Sequence, residues 1–155
     1  MKFLKLFAVA AIAFLSTQSH AQIKTVDVRT VKGAIVNYGH EAILTTTDSV
    51  VTAIDSIVVA ANEAGIIRVT VVGYNADAPA GITGIKYVRY KKVAGTLTLG
   101  TVTDIAATVT DSELSGSTTW TIVASGNNII VRVKGKIPLT SGIKWKCRTE
   151  YLSRP

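Results

Sequence analysis

Two histidines, one cysteine and ten carboxylates are what this chain brings to acid–base, nucleophilic or metal chemistry. His20 falls in a segment that reads as a leader, which leaves His40. A structural or catalytic metal site draws on several ligands at short, regular spacing, and no Cys, Asp or Glu falls at ligand spacing from His40. Nor does any serine occupy a G-x-S-x-G turn for which a histidine would serve as base. His40 reads as a solvated loop histidine.

A pair of carboxylates suffices for glycoside hydrolysis, so the acids need the same scrutiny. Asp48, Asp55, Asp77, Asp104, Asp111 and Glu113 all fall at predicted turns or strand ends, where a short acidic side chain accepts hydrogen bonds from nearby backbone amides. No two of them mark themselves out as a catalytic pair. Without an EF-hand loop, P-loop or dinucleotide fingerprint, the sequence points to no cofactor, calcium ion or nucleotide. Cys147 has no partner for an intrachain disulfide and shares a predicted strand face with Trp145, so it reads as a small buried hydrophobe.

The basic residues are the biased feature. Arg132, Lys134, Lys136, Lys144, Lys146 and Arg148 occur with no acid between Glu113 and Glu150, and Lys86, Arg89, Lys91 and Lys92 form a second cluster. If the two basic strands are neighbours, their outward sides make a positive stripe able to attract an acidic glycan or an envelope polyanion. Arg132, Lys134, Lys144, Lys146, Arg148, Lys86 and Arg89 are the candidate binding residues on that reading. The alternative is a solvated face whose lysines discourage edge-to-edge aggregation. Aromatic interleaving of the kind that stacks nucleic-acid bases is thin, so no nucleic-acid partner is expected.

These residues lie in a chain built for strands. The C-terminal third, Thr118 to Tyr151, reads as three in succession: Thr119–Ala124, a Ser-Gly-Asn-Asn turn, Ile129–Lys134, and Ile143–Tyr151. In the last, Ile143, Trp145, Cys147, Thr149 and Tyr151 alternate with Lys144, Lys146, Arg148 and Glu150, the pattern of a half-buried antiparallel strand. Ile129, Val131, Val133, Trp145 and Cys147 are expected in the core. Ile66–Tyr74 predicts a strand with Ile67, Val69, Val71 and Gly73 inward. Ile85–Lys92, Thr96–Leu99 and Val102–Thr110 follow, after a loop at 75–84. Glu41–Ala61 predicts two or three short strands broken near Asp48 and Asp55. Such spacing of strands and turns predicts an all-β sandwich or small barrel, of which an antiparallel, jelly-roll-like sandwich is the favoured form, as a single domain over 41–155.

Ahead of it, residues 1–21 carry a basic start, the apolar run Leu6–Leu15 and small residues at Ser19 and Ala21, the order of a cleaved secretory signal peptide. Removing it leaves 134 residues with 15 basic against 10 acidic, a formal +5. Residues 22–40 read as an extended segment or neck. No later apolar run is long enough for a membrane-spanning helix, so no span is expected in the mature chain.

The runs TTTDSVVTAIDSIVVAANEAGIIRVTVVGYNAD, GIKYVRYKKVAGTLTLGTVTD, TTWTIVASGNNIIVRVKG and IKWKCRTEYLS resemble a domain of phage virion proteins, found in tail-fibre, tail-spike and capsid-decorating chains. The resemblance covers roughly Thr45–Ser153 and rests on the cadence of strands. It implies a β-sandwich, usually a homotrimer, that assembles or attaches and performs no enzymatic step, and it supplies no site residues. The expected function is therefore a non-enzymatic structural or attachment protein, secreted to the cell surface or placed in a virion. The alternative is a secreted bacterial surface protein binding carbohydrate or an envelope polyanion.

Overall fold

The computed structural model describes residues 22–24, 30–32, 35–75, 79–116, 118–136 and 142–154. The expected signal peptide at 1–21 lies outside them, as does Asp77. The described chain forms strands β1 (Gln22–Lys24), β2 (Thr30–Lys32), β3 (Ile35–Thr46), β4 (Val51–Val58), β5 (Ala64–Asn75) and β6 (Ala80–Val93). These are followed by β7 (Thr96–Leu99), β8 (Thr103–Thr110), a 3₁₀ turn at Ser112–Leu114, β9 (Thr119–Ser125), β10 (Asn128–Lys134) and β11 (Ile143–Arg154).

Two antiparallel sheets pack as a sandwich. The larger runs β1-β3-β11-β5-β6-β7, with β2 also on β3 and β8 also on β6; the smaller is β4-β10-β9. The three C-terminal strands therefore divide. β9 and β10 pair as a hairpin, whereas β11 crosses to the other layer and lies between β3 and β5. Strand alternation survives that crossing: Ile129, Val131, Val133, Trp145 and Cys147 all lie in the core, at 0–1% exposure. So do Ile67, Val69 and Val71, on the face of β5 that the sequence assigns inward.

Local chemistry accounts for the turns. Ala94 and Gly95 both take positive φ (48° and 80°) between paired Val93 and Thr96, the two-residue turn whose twist matches a right-handed hairpin. Gly126, at φ 58°, opens the β9–β10 hairpin as the single positive-φ residue of its two-residue turn, the arrangement that places glycine first. Asp48 accepts the Val50 amide at 3.0 Å, so the predicted break there is an Asx turn between β3 and β4.

Three sequence readings change. The loop read at 75–84 is strand at both ends, with β5 reaching Asn75 and β6 starting at Ala80, where Ala80 and Ile82 are buried. The segment read as a connection before Glu41 enters β3 from Ile35 onward, and its pairing with β11 extends back to Val36. Asp55 is no strand end: it sits within β4, where a bulge shifts the register between its pairing and that of Ala53. Ile54 and Asp55 are both buried as a result. Among the described residues no helix is long and apolar enough to cross a membrane.

Candidate functional site

The outer face of the larger sheet is the surface that the basic residues of β11 help to build. Because β11 alternates, Lys144, Lys146, Arg148 and Glu150 all turn away from the core. Lys144 lies opposite Thr45 on one side and Tyr74 on the other; Lys146 lies opposite Ile43 and Val72. Ile43, Val72 and Tyr74 are about half exposed, so cations and apolar side chains interleave across β3, β11 and β5. Leu152 and Ile66, also exposed and directly opposite, extend this band toward the other end. Part of the charge is answered within the face: Lys146 Nζ is 3.3 Å from Glu41, Arg148 is 2.8 Å from Glu150, and Arg68 is 3.7 Å from the same acid. Exposed pairs of this kind contribute at most about 1 kcal/mol each, so they organise the face more than they stabilise it.

The other candidate cations are placed elsewhere. Arg132 and Lys134 project from the outer side of β10, on the opposite layer, with no ion pair among the described residues. Lys136 donates to the Glu113 carbonyl. β5 separates β6 from β11, so the two basic strands are not neighbours and no single stripe forms. On β6 only the alternate cations Arg89 and Lys91 face outward. Lys86 turns inward, its ammonium 4.5 Å above the Trp120 ring and 3.8 Å from Asp104. Lys92 is buried and donates to the Val59 carbonyl at 2.7 Å. Sequence counting grouped these cations by proximity along the chain; the pleat sends every second one to the other side.

The acid–base groups are bound into the framework. Glu63 accepts from the Ala60 amide at 2.8 Å and from the Tyr90 hydroxyl at 2.5 Å, clasping the β4–β5 turn. Asp111 accepts from the Gly81 amide at 2.7 Å. Burial pushes the Cys147 thiol up to about 12; the nearby Asp55 carboxylate adds to the rise and the Thr149 hydroxyl opposes it. His40 is not the solvated loop histidine of the sequence reading. It stands on β3, edge-on to Tyr151 with ring centroids 5.8 Å apart, and faces Asp55. Among the described residues no three His, Cys, Asp or Glu side chains group to hold a metal ion. Sequence reasoning missed this His40–Asp55 pairing because the bulge that turns Asp55 inward leaves no mark in the alternation.

No protein-family model matches the chain, and comparison with curated proteins returns no significant match.

Proposed function

We propose that the chain is a non-enzymatic module for assembly or surface attachment, of the kind carried by phage tail-fibre and capsid-decorating proteins, acting at the cell surface or in a virion. The observation that carries this reading is the interleaving of Ile43, Val72 and Tyr74 with Lys144 and Lys146 on the outer face of the larger sheet. Contiguous exposed apolar side chains rimmed by charge mark interaction surfaces. A regularly spaced sheet face also suits repeated copies, because each strand presents the same two-residue pitch. Light scattering after size exclusion tests it: the exported chain elutes as a homo-oligomer, a trimer on this reading, and Val72→Lys with Tyr74→Lys yields the monomer without lowering the melting temperature. A wild-type monomer overturns the assembly reading.

A second reading, attachment to an acidic glycan or envelope polyanion, is favoured by Arg132 and Lys134, half-buried cations two residues apart that carry no ion pair among the described residues. Heparin retention that falls on Arg132→Glu/Lys134→Glu, and not on Lys144→Glu/Lys146→Glu, places it on the smaller sheet.

A further inference from the structure

At one end of the larger sheet, β5, β6 and the stretch through β7 enclose an open groove of about 510 Å³. That volume lies within the range of roughly 300–1,000 Å³ typical of sites for small organic ligands. Its lining is predominantly apolar, with the side chains of Ala64 and Ile66 among the contributors. Ile66 is 42% exposed there, though it belongs to the strand that carries the deepest core residues. Register sets Arg89 directly opposite Ile66 and Lys91 directly opposite Ala64, so two cations stand at the groove beside an aliphatic surface. The Gly100 amide donates to the Arg89 carbonyl at 2.8 Å, which holds the chain after β7 against β6 with no side chain added at that point.

Arg89 and Lys91 are exposed and make no ion pair among the described residues, unlike Lys146 and Arg148 on the same layer. Two cations on one strand face, about 7 Å apart by the strand repeat, repel each other, and an anion between them relieves that repulsion. A sugar would require several polar groups aimed into the groove; here the lining is aliphatic with charge at its margin. We propose that the groove binds a single free amphiphilic anion, a carboxylate on an aliphatic chain. Ala64 and Ile66 lie against the chain, and Arg89 and Lys91 receive the carboxylate, the guanidinium through paired N–H donors. This goes beyond attachment or assembly and turns on Arg89 and Lys91, on which neither of the two proposed readings rests.

Methyl NMR titration of the exported protein with decanoate, decanol and decylamine, each below its micelle concentration, tests the site. Decanoate shifts the Ala64 and Ile66 methyl signals and binds at least about tenfold more tightly than decanol, while decylamine leaves those signals in place. Arg89→Glu with Lys91→Glu weakens decanoate by at least about tenfold, the loss of both charge partners, and leaves the melting temperature unchanged. Ile66→Glu abolishes the decanoate shifts. Equal affinity for decanol and decanoate, shifts confined to other residues, or no binding at all overturns the proposal. Sedimentation with phosphatidylglycerol vesicles in the absence of any decanoate shift overturns it too, by giving the two cations to a membrane surface. Light scattering on the same samples reports assembly separately, so failure of one reading is distinguishable from failure of the other.

Discussion

His40 Nδ1 lies 4.0 Å from the Oδ1 of Asp55, and the two residues belong to different sheets. The imidazole is 22% exposed and the carboxylate 4%, so the contact reaches from the margin of the sandwich into its interior. Asp55 Oδ1 also accepts the Ser56 amide at 2.8 Å, whereas Oδ2 has no hydrogen-bond partner. A buried carboxylate with one oxygen unanswered is costly, and a neighbouring cation offsets that cost. The histidine supplies one only when protonated, which makes this the one inter-sheet contact described here whose sign depends on a proton.

A double-mutant cycle on His40→Gln and Asp55→Asn isolates that contact. Residues in one network couple by about 0.5–3 kcal/mol, and the coupling here is expected to reach at least about 0.5 kcal/mol, because Asp55 is buried with one oxygen unanswered. Urea unfolding of the four proteins measures it. Strictly additive costs would remove the pair as an interaction.

Alkaline stability should depend on Cys147. Burial raises the folded-state thiol from 9.0 to about 12, so the fold favours the neutral form. Its contribution is fully present below pH 9, where both states hold the proton. It is lost as the pH climbs toward 12, at up to about 1.4 kcal/mol per pH unit. Burial and the Glu63 contact also raise the Tyr90 hydroxyl above its ordinary value, which steepens the loss above pH 10.0 in the same direction. Unfolding curves at pH 8, 9.5 and 11 should show the wild type losing more stability than Cys147→Ala, which starts lower because of its cavity. Parallel curves would remove the thiol from the account.

Much of this fold was legible because β5, β10 and β11 carry clean alternation over seven residues or more, and burial follows it residue by residue. What was not legible depends on which strands become neighbours. Nothing in Ile143–Tyr151 states that β11 leaves the hairpin beside it for the opposite layer, since its apolar face fits the core from either sheet. The candidate cations suffered most. Lys86 and Lys92 look like Arg89 and Lys91 in sequence, yet a single step along β6 changes a surface charge into an interior one. Gly84, one possible signal, admits Trp120 beneath Lys86: a Cβ there would lie 3.1 Å from the indole.

The two kinds of β6 cation should separate in a stability assay. Lys86→Glu replaces an ammonium over an indole face with a carboxylate near Asp104. Losing the cation–π contact and adding like-charge repulsion is expected to cost about 1–3 kcal/mol. Arg89→Glu, on the exposed face, should stay within about 0.5 kcal/mol of wild type. Thermal melts of both variants decide whether the inward placement of Lys86 holds.

Gly73 and Trp145 test how tightly the larger sheet meets the core. They are direct partners in the β5–β11 ladder, and a Cβ on Gly73 would lie 2.7 Å from the indole ring and 2.8 Å from the Ile82 Cγ2. The indole has little freedom to withdraw, because its Nε1 donates to the Thr46 hydroxyl at 2.8 Å inside the core. Gly73→Ala is therefore an overpacking change, expected to destabilise by about 1–3 kcal/mol. Trp145→Phe removes the far part of the ring and the buried hydrogen bond, at a cost of at least about 1 kcal/mol, and frees space over Gly73. The two costs should then fall short of adding: in the Trp145→Phe protein, Gly73→Ala should cost at least about 0.5 kcal/mol less than it does alone. Denaturant unfolding of the four proteins measures that difference. Strict additivity would mean that the alanine methyl is accommodated by a shift of β5 rather than resisted by the indole.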